Sequence, residues 1–481
     1  MISIREGLSY DDILLIPGYS EILPSDIDLT TRLAGKIRLN TPILSAAMDT
    51  VTEDKLAIAL ALEGGAGVIH MNLPPHEQAE QVGRVKRFLN WIIDNPLTIS
   101  KNQTVRDARA IMEGNGISGL PVLDENERLC GILTSRDLRF CSNDELTVEK
   151  VMTHDPIVEE ANASPEAARK KFDLHKIEKL PIVDKDRRLK GLITVKDMEK
   201  HSRFPNAALD ESGKLIVGAA VSPNNYEERL PLLLENRVDF IVVDTAHGDS
   251  KNVLKTIENI KKKYTVIVIG GNVATAEGTR HIIEAGADAV KVGVGPGSIC
   301  TTRVVAGIGV PQFSAVLECG EVAASKGIPV VADGGIKFSG DIVKAIAAGA
   351  DTVMIGNLFA GLKETPGREI IFDGRMFKEY RGMGSIGAIN KGSGDRYQSN
   401  EGEIVPEGIE GRVPYKGELK PFLHQLNVGL KKGMGYCGCR NIAEMKSYRK
   451  FVKITAMGLK ESHAHDVVIT HEAPNYSRLR G

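Results

Sequence analysis

The 481-residue chain is poor in cysteine: six are spread over positions 130, 141, 300, 319, 437 and 439, and no two of them form a CxxC pair. So sparse a set builds no disulfide framework and suits a reducing compartment. Cys437 and Cys439 make a lone CxC, which reads as structural because zinc needs further ligands at suitable spacing. An excess of either charge is also missing. With 61 Lys and Arg against 63 Asp and Glu, the formal net charge of -2 supplies no basic field for nucleic acid. No uninterrupted apolar stretch approaches membrane-spanning length, and the N-terminal Met-Ile-Ser-Ile-Arg-Glu has a charge where a secretory signal needs an apolar run. A cytoplasmic protein with neither nucleic acid nor membrane as a partner is expected.

What is present is enough apolar sequence, 42% of residues, to bury a core, in a chain too long for one core to keep growing. Residues 116–137 return as residues 176–197, with Pro121 matching Pro181 and Asp137 matching Asp197. The repeat extends back to Asn95-Pro96 and Asp155-Pro156, so residues 92–205 form a two-repeat α+β module, with copies at about 92–150 and 151–205. Two copies make a pair and not a solenoid, which needs three or more.

Outside the module, short apolar runs at residues 42–48, 67–70, 215–221, 240–244, 265–270, 289–293, 329–333 and 352–356 alternate with amphipathic stretches such as 54–62, 226–236, 251–262, 276–285 and 340–348. Eight buried-strand patterns with intervening helices predict an α/β fold of the (β/α)8 TIM-barrel type, split by the module into residues 1–91 and 206–481. An open doubly wound sheet more often uses five or six strands. Such a barrel carries its site where strands end, and the ends here hold Asp244, Asn272, Asp333 and Gly356.

Gly334-Gly335 and Gly356-Asn357 let backbone N–H groups approach a phosphate, helped by a helix opening near Ser339, while Asp333 can accept from ribose hydroxyls. The loop Gly293-Val-Gly-Pro-Gly-Ser-Ile-Cys-Thr-Thr-Arg303 places Cys300 among N–H groups and a cation, conditions that favour a thiolate and set the reading as a nucleophile level with that as an inert buried thiol. The loop lacks the third glycine of a dinucleotide fingerprint, so spacing alone shows no nicotinamide cofactor. The glycine-rich polar stretch at about 378–417 reads as a lid.

In order along the chain, the Cys300 loop, Ala332-Asp-Gly-Gly-Ile336, Tyr380-Arg-Gly-Met-Gly-Ser385, Asp395-Arg-Tyr397 and Val405-Pro-Glu-Gly-Ile-Glu-Gly-Arg-Val-Pro-Tyr-Lys-Gly417 resemble the inosine 5'-monophosphate (IMP) dehydrogenase family, and the repeat module resembles its paired CBS (Bateman) domain. The resemblance implies oxidation of IMP to xanthosine monophosphate with NAD, the committed step of guanine nucleotide biosynthesis. It implies Cys300 as nucleophile on C2 of the purine, then hydrolysis with Arg396 and Tyr397 activating water and Thr302 and Glu407 assisting. An arginine can act so only if lid closure desolvates its guanidinium. Ser298, Asp333, Gly335, Gly356, Asn357, Tyr380, Gly382, Met383, Gly384, Ser385 and Glu407 are implied to bind IMP, and Asp244, Asn272, Gly293 and Gly295 to face NAD. Asn357 departs from the family's usual serine, which implies an altered phosphate contact.

Carbonyls of Gly295, Gly297 and Cys300 are implied to hold potassium, joined by Glu461, Ser462 and His463 of a neighbouring subunit in a homotetramer that can pair into octamers. Purine nucleotides at the CBS module are implied, with Asp137 and Asp197 either binding ribose hydroxyls or capping helices. Two alternatives stand beside this: a GMP reductase, whose usual pattern lacks the Arg-Tyr dyad, and a nucleotide sensor with a degenerate barrel, against which Cys300, Arg396 and Tyr397 argue.

Overall fold

The computed structural model describes residues 4–89, 92–160, 165–394, 405–471, 473 and 475–476, in two compact units. One comprises Met1–Phe88 with Asn206–Gly481, the other Leu89–Pro205.

The larger unit is a closed barrel of eight parallel strands: β1 (Ile43–Ser45), β2 (Ala66–Ile69), β3 (Val217–Val221), β4 (Phe240–Asp244), β5 (Ile267–Val273), β6 (Ala289–Val292), β7 (Val330–Asp333) and β8 (Thr352–Ile355). β8 closes on β1 with Val353 opposite Ile43. The strands read as continuous apolar runs because both faces are covered, inward by the packed interior and outward by helices. Leu44, Val68, Phe240, Val242, Ile269, Ala289, Val331 and Met354 belong to the buried cluster that fills it. The hairpin Thr31–Ala34/Ile37–Leu39 adds Leu33, Ala34 and Leu39 to that cluster and reaches the start of β8, where Thr31 donates to the Asp351 carbonyl at 2.8 Å.

Helices α1 (Asp54–Leu62), α2 (Pro75–Phe88), α3 (Tyr226–Glu235), α4 (Lys251–Lys263), α5 (Ala276–Glu284), α6 (Gln312–Ser325) and α7 (Ser339–Ala347) follow the strands. In α4, Val253, Ile257 and Ile260 recur every three or four residues and are buried, while Lys261, Lys262 and Lys263 complement the helix C-terminal dipole. The eighth helix, α8 (Leu419–Cys437), comes long after β8 and packs against α7 and α1.

Between β8 and α8 lies a three-stranded antiparallel sheet, Glu369–Phe372, Arg375–Arg381 and Glu410–Pro414. The polar stretch at 378–417 is thus not loop throughout. Its two ends pair with each other, Lys378 opposite Val413 and Tyr380 opposite Gly411. The strands Arg375–Arg381 and Glu410–Pro414 interleave charged with apolar residues, and much of their length is exposed.

The second unit contains matching elements sixty residues apart: Gly119–Leu123 and Lys179–Val183, Leu129–Thr134 and Leu189–Thr194, Val105–Asn115 and Pro165–His175. The sheets do not respect a boundary at 150/151. Thr153–His154 pairs with Leu129–Thr134, and Ile93–Asp94 pairs with Leu189–Thr194, so each copy completes the other's four-stranded sheet.

Where the chain leaves α2 and returns at Asn206, a buried ion cluster fastens the larger unit. Lys86 Nζ donates to both Asp239 oxygens at 2.8 and 2.7 Å and to Asp210 at 2.8 Å. Burial pushes the Asp239 carboxyl up to about 6 even with Lys86 against it. A folded-state value above the unfolded one, about 4, means that this carboxyl's contribution to stability falls as pH rises between those values and is flat above them. Lys86→Met strands two carboxylates in the interior. It is expected to lose about 3–5 kcal/mol at neutral pH, and the pH window of falling stability should extend above 6, as urea midpoints across pH will show.

Candidate active site

The C-terminal ends of the barrel strands deliver their polar side chains into one cluster. At its centre is Lys291, in the middle of β6 and with its side chain 1% exposed. Its Nζ donates to Asp244 Oδ1 at the end of β4 and to Asp333 Oδ2 at the end of β7, each at 2.8 Å, and also to Asn272 Oδ1 from β5. Asn272 Nδ2 in turn donates to Asp333 Oδ2 at 2.9 Å and to the Gly293 carbonyl at 2.7 Å. Two carboxylates, one ammonium group and one amide thus satisfy one another out of water, which a buried charge requires.

The thiol loop begins at once after β6. Gly293 has φ +152°, and a Cβ there would stand 2.2 Å from the Asp333 carbonyl, so only glycine lets the loop pass this close to β7. Gln312 at the start of α6 donates to the Val292 and Asp333 carbonyls at 2.9 and 3.1 Å, bracing the same gap. Farther on, the Arg303 side chain straps the loop by donating to the Val294 and Val310 carbonyls. Burial shifts its guanidinium below the usual arginine range.

Cys300 Sγ lies 3.1 Å from Thr302 Oγ1. Its backbone is held by a ladder of three segments: Thr301 N donates to the Glu407 carbonyl and Ile409 N to the Ile299 carbonyl, while Gly382 N donates to the Ile409 carbonyl and Glu407 N to the Gly384 carbonyl. Gly408 sits at the crossing, where a Cβ would meet Gly384 and Ser385 backbone at 3.2 Å. The segment Tyr380-Arg-Gly-Met-Gly-Ser385 and the Cys300 loop are therefore positioned by the same three residues, 407–409.

Together these elements wall an open cleft with a cavity of about 120 Å³. Among the expected site residues, Cys300, Thr302, Glu407, Asp333, Tyr380, Gly382, Met383, Asp244, Asn272, Gly293, Gly295 and Gly297 line it. Tyr380 is buried, with its hydroxyl 3.9 Å from Met48 Sδ, and burial beside Asp333 raises its pKa. Ser298, Gly335, Gly356, Asn357, Gly384 and Ser385 are not in the wall. Ser385 Oγ instead accepts from Ala388 N at 3.3 Å, capping the short helix Ile386–Ile389. Arg396 and Tyr397 lie outside the described residues.

In the turn before the helix that opens at Ser339, Lys337 N and Phe338 N donate to buried Asp341 at 2.9 and 3.0 Å, so a carboxylate of the helix's first turn holds its entry. Glu461, Ser462 and His463, expected to reach the Cys300 loop of a neighbouring subunit, lie at the end of the helix Ala456–Ser462, and His463 walls a surface pocket there. Asp137 Oδ2 accepts from Thr134 N and Oγ1 at 2.8 and 2.7 Å and completes a capping box, while Asp197 Oδ2 accepts from Thr194 Oγ1 at 2.5 Å and Asp197 N donates to Thr194 Oγ1 at 3.3 Å, in line with the capping reading of both aspartates.

The residue that sequence reasoning missed is Lys291, passed over inside an apolar strand. A lone lysine in a run buried on both faces needs a buried counter-charge, and that was the available signal.

Known proteins resemble the whole arrangement. A family model described as "IMP dehydrogenase / GMP reductase domain" matches residues 7–465. Inosine-5'-monophosphate dehydrogenases of Halalkalibacterium halodurans and Aquifex aeolicus are 54% and 55% identical, each over 98% of this chain and 98% of the relative. The one from Bacillus subtilis is 51% identical with the same coverage. A crystal structure of a GMP reductase variant from Trypanosoma brucei in complex with guanosine 5'-monophosphate matches with TM-score 0.84 and 41% identity, over 97% of this chain and 99% of that one.

Lys291→Met, with similar volume and no charge, leaves Asp244 and Asp333 facing each other unneutralised. The variant is expected to lose about 3–5 kcal/mol of stability, read as a lower denaturation midpoint, and Lys291→Met/Asp333→Asn should recover part of it.

Proposed function

The chain belongs to the IMP dehydrogenase / GMP reductase family, and within it we propose that it oxidises IMP to xanthosine monophosphate with NAD through a covalent intermediate on Cys300. The observation that carries this is the placement of Cys300 and Thr302, 3.1 Å apart, in one cavity with Glu407 and with the Asp333–Lys291–Asp244 cluster.

The Cys300 sulfur adds to C2 of the hypoxanthine ring, and the tetrahedral carbon loses its hydrogen as hydride. Bound NAD supplies the acceptor for that hydride. Asp244, Asn272, Gly293 and Gly295 fit its nicotinamide side, since they line the wall next to Cys300. Asp333 is placed for the ribose, with one oxygen held by Lys291 and Asn272. The remaining thioimidate is cleaved by water, which adds at C2 and expels the thiolate. Thr302, against the sulfur, and Glu407, in the same wall, assist the proton transfers, and Arg396 with Tyr397 activates the water.

The Gly295, Gly297 and Cys300 carbonyls fit a weakly hydrated monovalent ion such as potassium, being neutral oxygens from one tight turn in which Cys300 N donates to the Gly297 carbonyl at 3.1 Å. Glu461, Ser462 and His463 of a neighbouring subunit complete the set in a homotetramer, which can pair into octamers. We assign the 92–205 module to CBS-type binding of purine nucleotides. Asp137 and Asp197 retain a second oxygen for a ribose hydroxyl. No helix among the described residues is long and apolar enough to cross a membrane, in keeping with a cytoplasmic enzyme.

The likeness to a GMP reductase structure favours a second reading, the reductive deamination of GMP. The higher identity to dehydrogenases and the Asp395-Arg396-Tyr397 sequence weigh against it. Incubation with IMP and NAD is expected to raise absorbance at the NADH band, faster with potassium. No rise with IMP, together with a fall with GMP and NADPH, assigns the reductase instead. Cys300→Ala should abolish turnover and the trapping of labelled IMP; trapping that persists removes Cys300 as nucleophile.

A further inference from the structure

Arg381 leads into the segment 382–385, and none of its polar partners line the cavity. Its side chain is 10% exposed and forms a fork on Asp49, which is 5% exposed and follows the exit of β1. Arg381 Nε stands 3.1 Å from Asp49 Oδ1, and Nη2 stands 2.5 Å from Oδ2. Arg381 N donates to Thr50 Oγ1 at 3.3 Å. Hydrogen bonding to Asp49 holds the guanidinium still more firmly in its charged form.

Asn72, just beyond β2, donates from Nδ2 to Asp49 Oδ2 at 2.7 Å and to the Ala388 carbonyl at 3.3 Å. Both neighbours are acceptors, which fixes the amide's orientation. On the other side of the turn, Gly387 N donates to Glu410 Oε1 at 2.7 Å. The turn is thus fastened at its entry by Asp49 and at its exit by Asn72 and Glu410, while the 407–409 ladder pins its middle.

We propose that Asp49, Asn72 and Arg381 are positioning residues for the substrate: anchored to the ends of β1 and β2, they fix the shape of the 382–385 turn, and so set affinity for the purine monophosphate and not the rate of chemistry. The proposal rests on that turn touching the nucleotide, as the family resemblance implies for Gly382, Met383, Gly384 and Ser385, of which Gly382 and Met383 line the cavity. Backbone donors cannot adjust as a side chain can, so their geometry must be imposed from behind, and a displacement of about an ångström is enough to cost a large factor.

The test uses the full-length enzyme. Asn72→Leu keeps volume and removes both donated bonds. It is expected to raise KM for IMP about tenfold with kcat and KM for NAD within about twofold of the parent, a split that a general loss of stability does not give. Arg381→Lys, which keeps charge but loses the fork, should show the same split to a smaller degree and decides the matter if Asn72→Leu does not fold. Unchanged KM for IMP, or a fall in kcat alone, overturns the proposal. Calorimetric binding of IMP and GMP to Cys300→Ala, with and without Asn72→Leu, separates the two claims. If the parent enzyme fails to oxidise IMP, the assigned reaction is wrong, whereas equal binding of the better-bound nucleotide to both variants refutes the positioning role.

Discussion

Lys291 is held at 2.8 Å from both Asp244 and Asp333 with almost no access to water, and a charge so placed is tolerated only while its partners stay in position. The requirement runs outward from there. Asp244 ends β4, Asn272 belongs to β5 and Asp333 ends β7, so satisfying one ammonium group fixes the relative heights of four strands. Asn272 then passes the constraint to the Gly293 carbonyl, the first residue of the thiol loop. The group that neutralises the carboxylates is also the group that sets where the loop begins.

A second constraint comes from backbone alone. Cys300 shares its ladder with residues 407–409 and through them with the turn at 382–384. Three chain segments can approach this closely only where side chains are absent, which is why Gly382 and Gly408 face each other at the crossing. Polar groups that hold the turn from behind, Asp49 and Asn72, are rooted on the first two barrel strands. Cys300 and the turn proposed to hold the nucleotide are therefore braced against each other, and the turn is tied to the ends of the first two barrel strands.

The barrel was legible because its strands are buried on both faces and so leave unbroken apolar runs, while helices such as α4 show a period near 3.6. The site's loops were legible for a different reason: glycine, proline and a lone cysteine are unusual at such density. Regions without a dedicated face to bury left weaker traces. The sheet between β8 and α8 is largely exposed, so its strands carry charged residues and resembled a lid. In the smaller unit the sixty-residue repeat showed two copies, but not that Ile93–Asp94 and Thr153–His154 each complete the other copy's sheet, because a two-residue strand has no period to read.

The sequence by itself determined which chemistries were available: a thiol in a flexible glycine-rich loop, carboxylates at strand ends, paired copies of a small module, and no disulfide framework or membrane-length run. Local periodicity and composition carry that much, since each depends on residues close together in the chain. Only the tertiary structure decided which groups meet. Lys291 finds partners 47, 19 and 42 residues away, and Arg381 finds Asp49 at a separation of 332. Contacts at such range follow from barrel closure, which brings strand ends together whatever their distance in sequence. A buried lysine becomes the hub of a site only once that closure has placed two carboxylates around it.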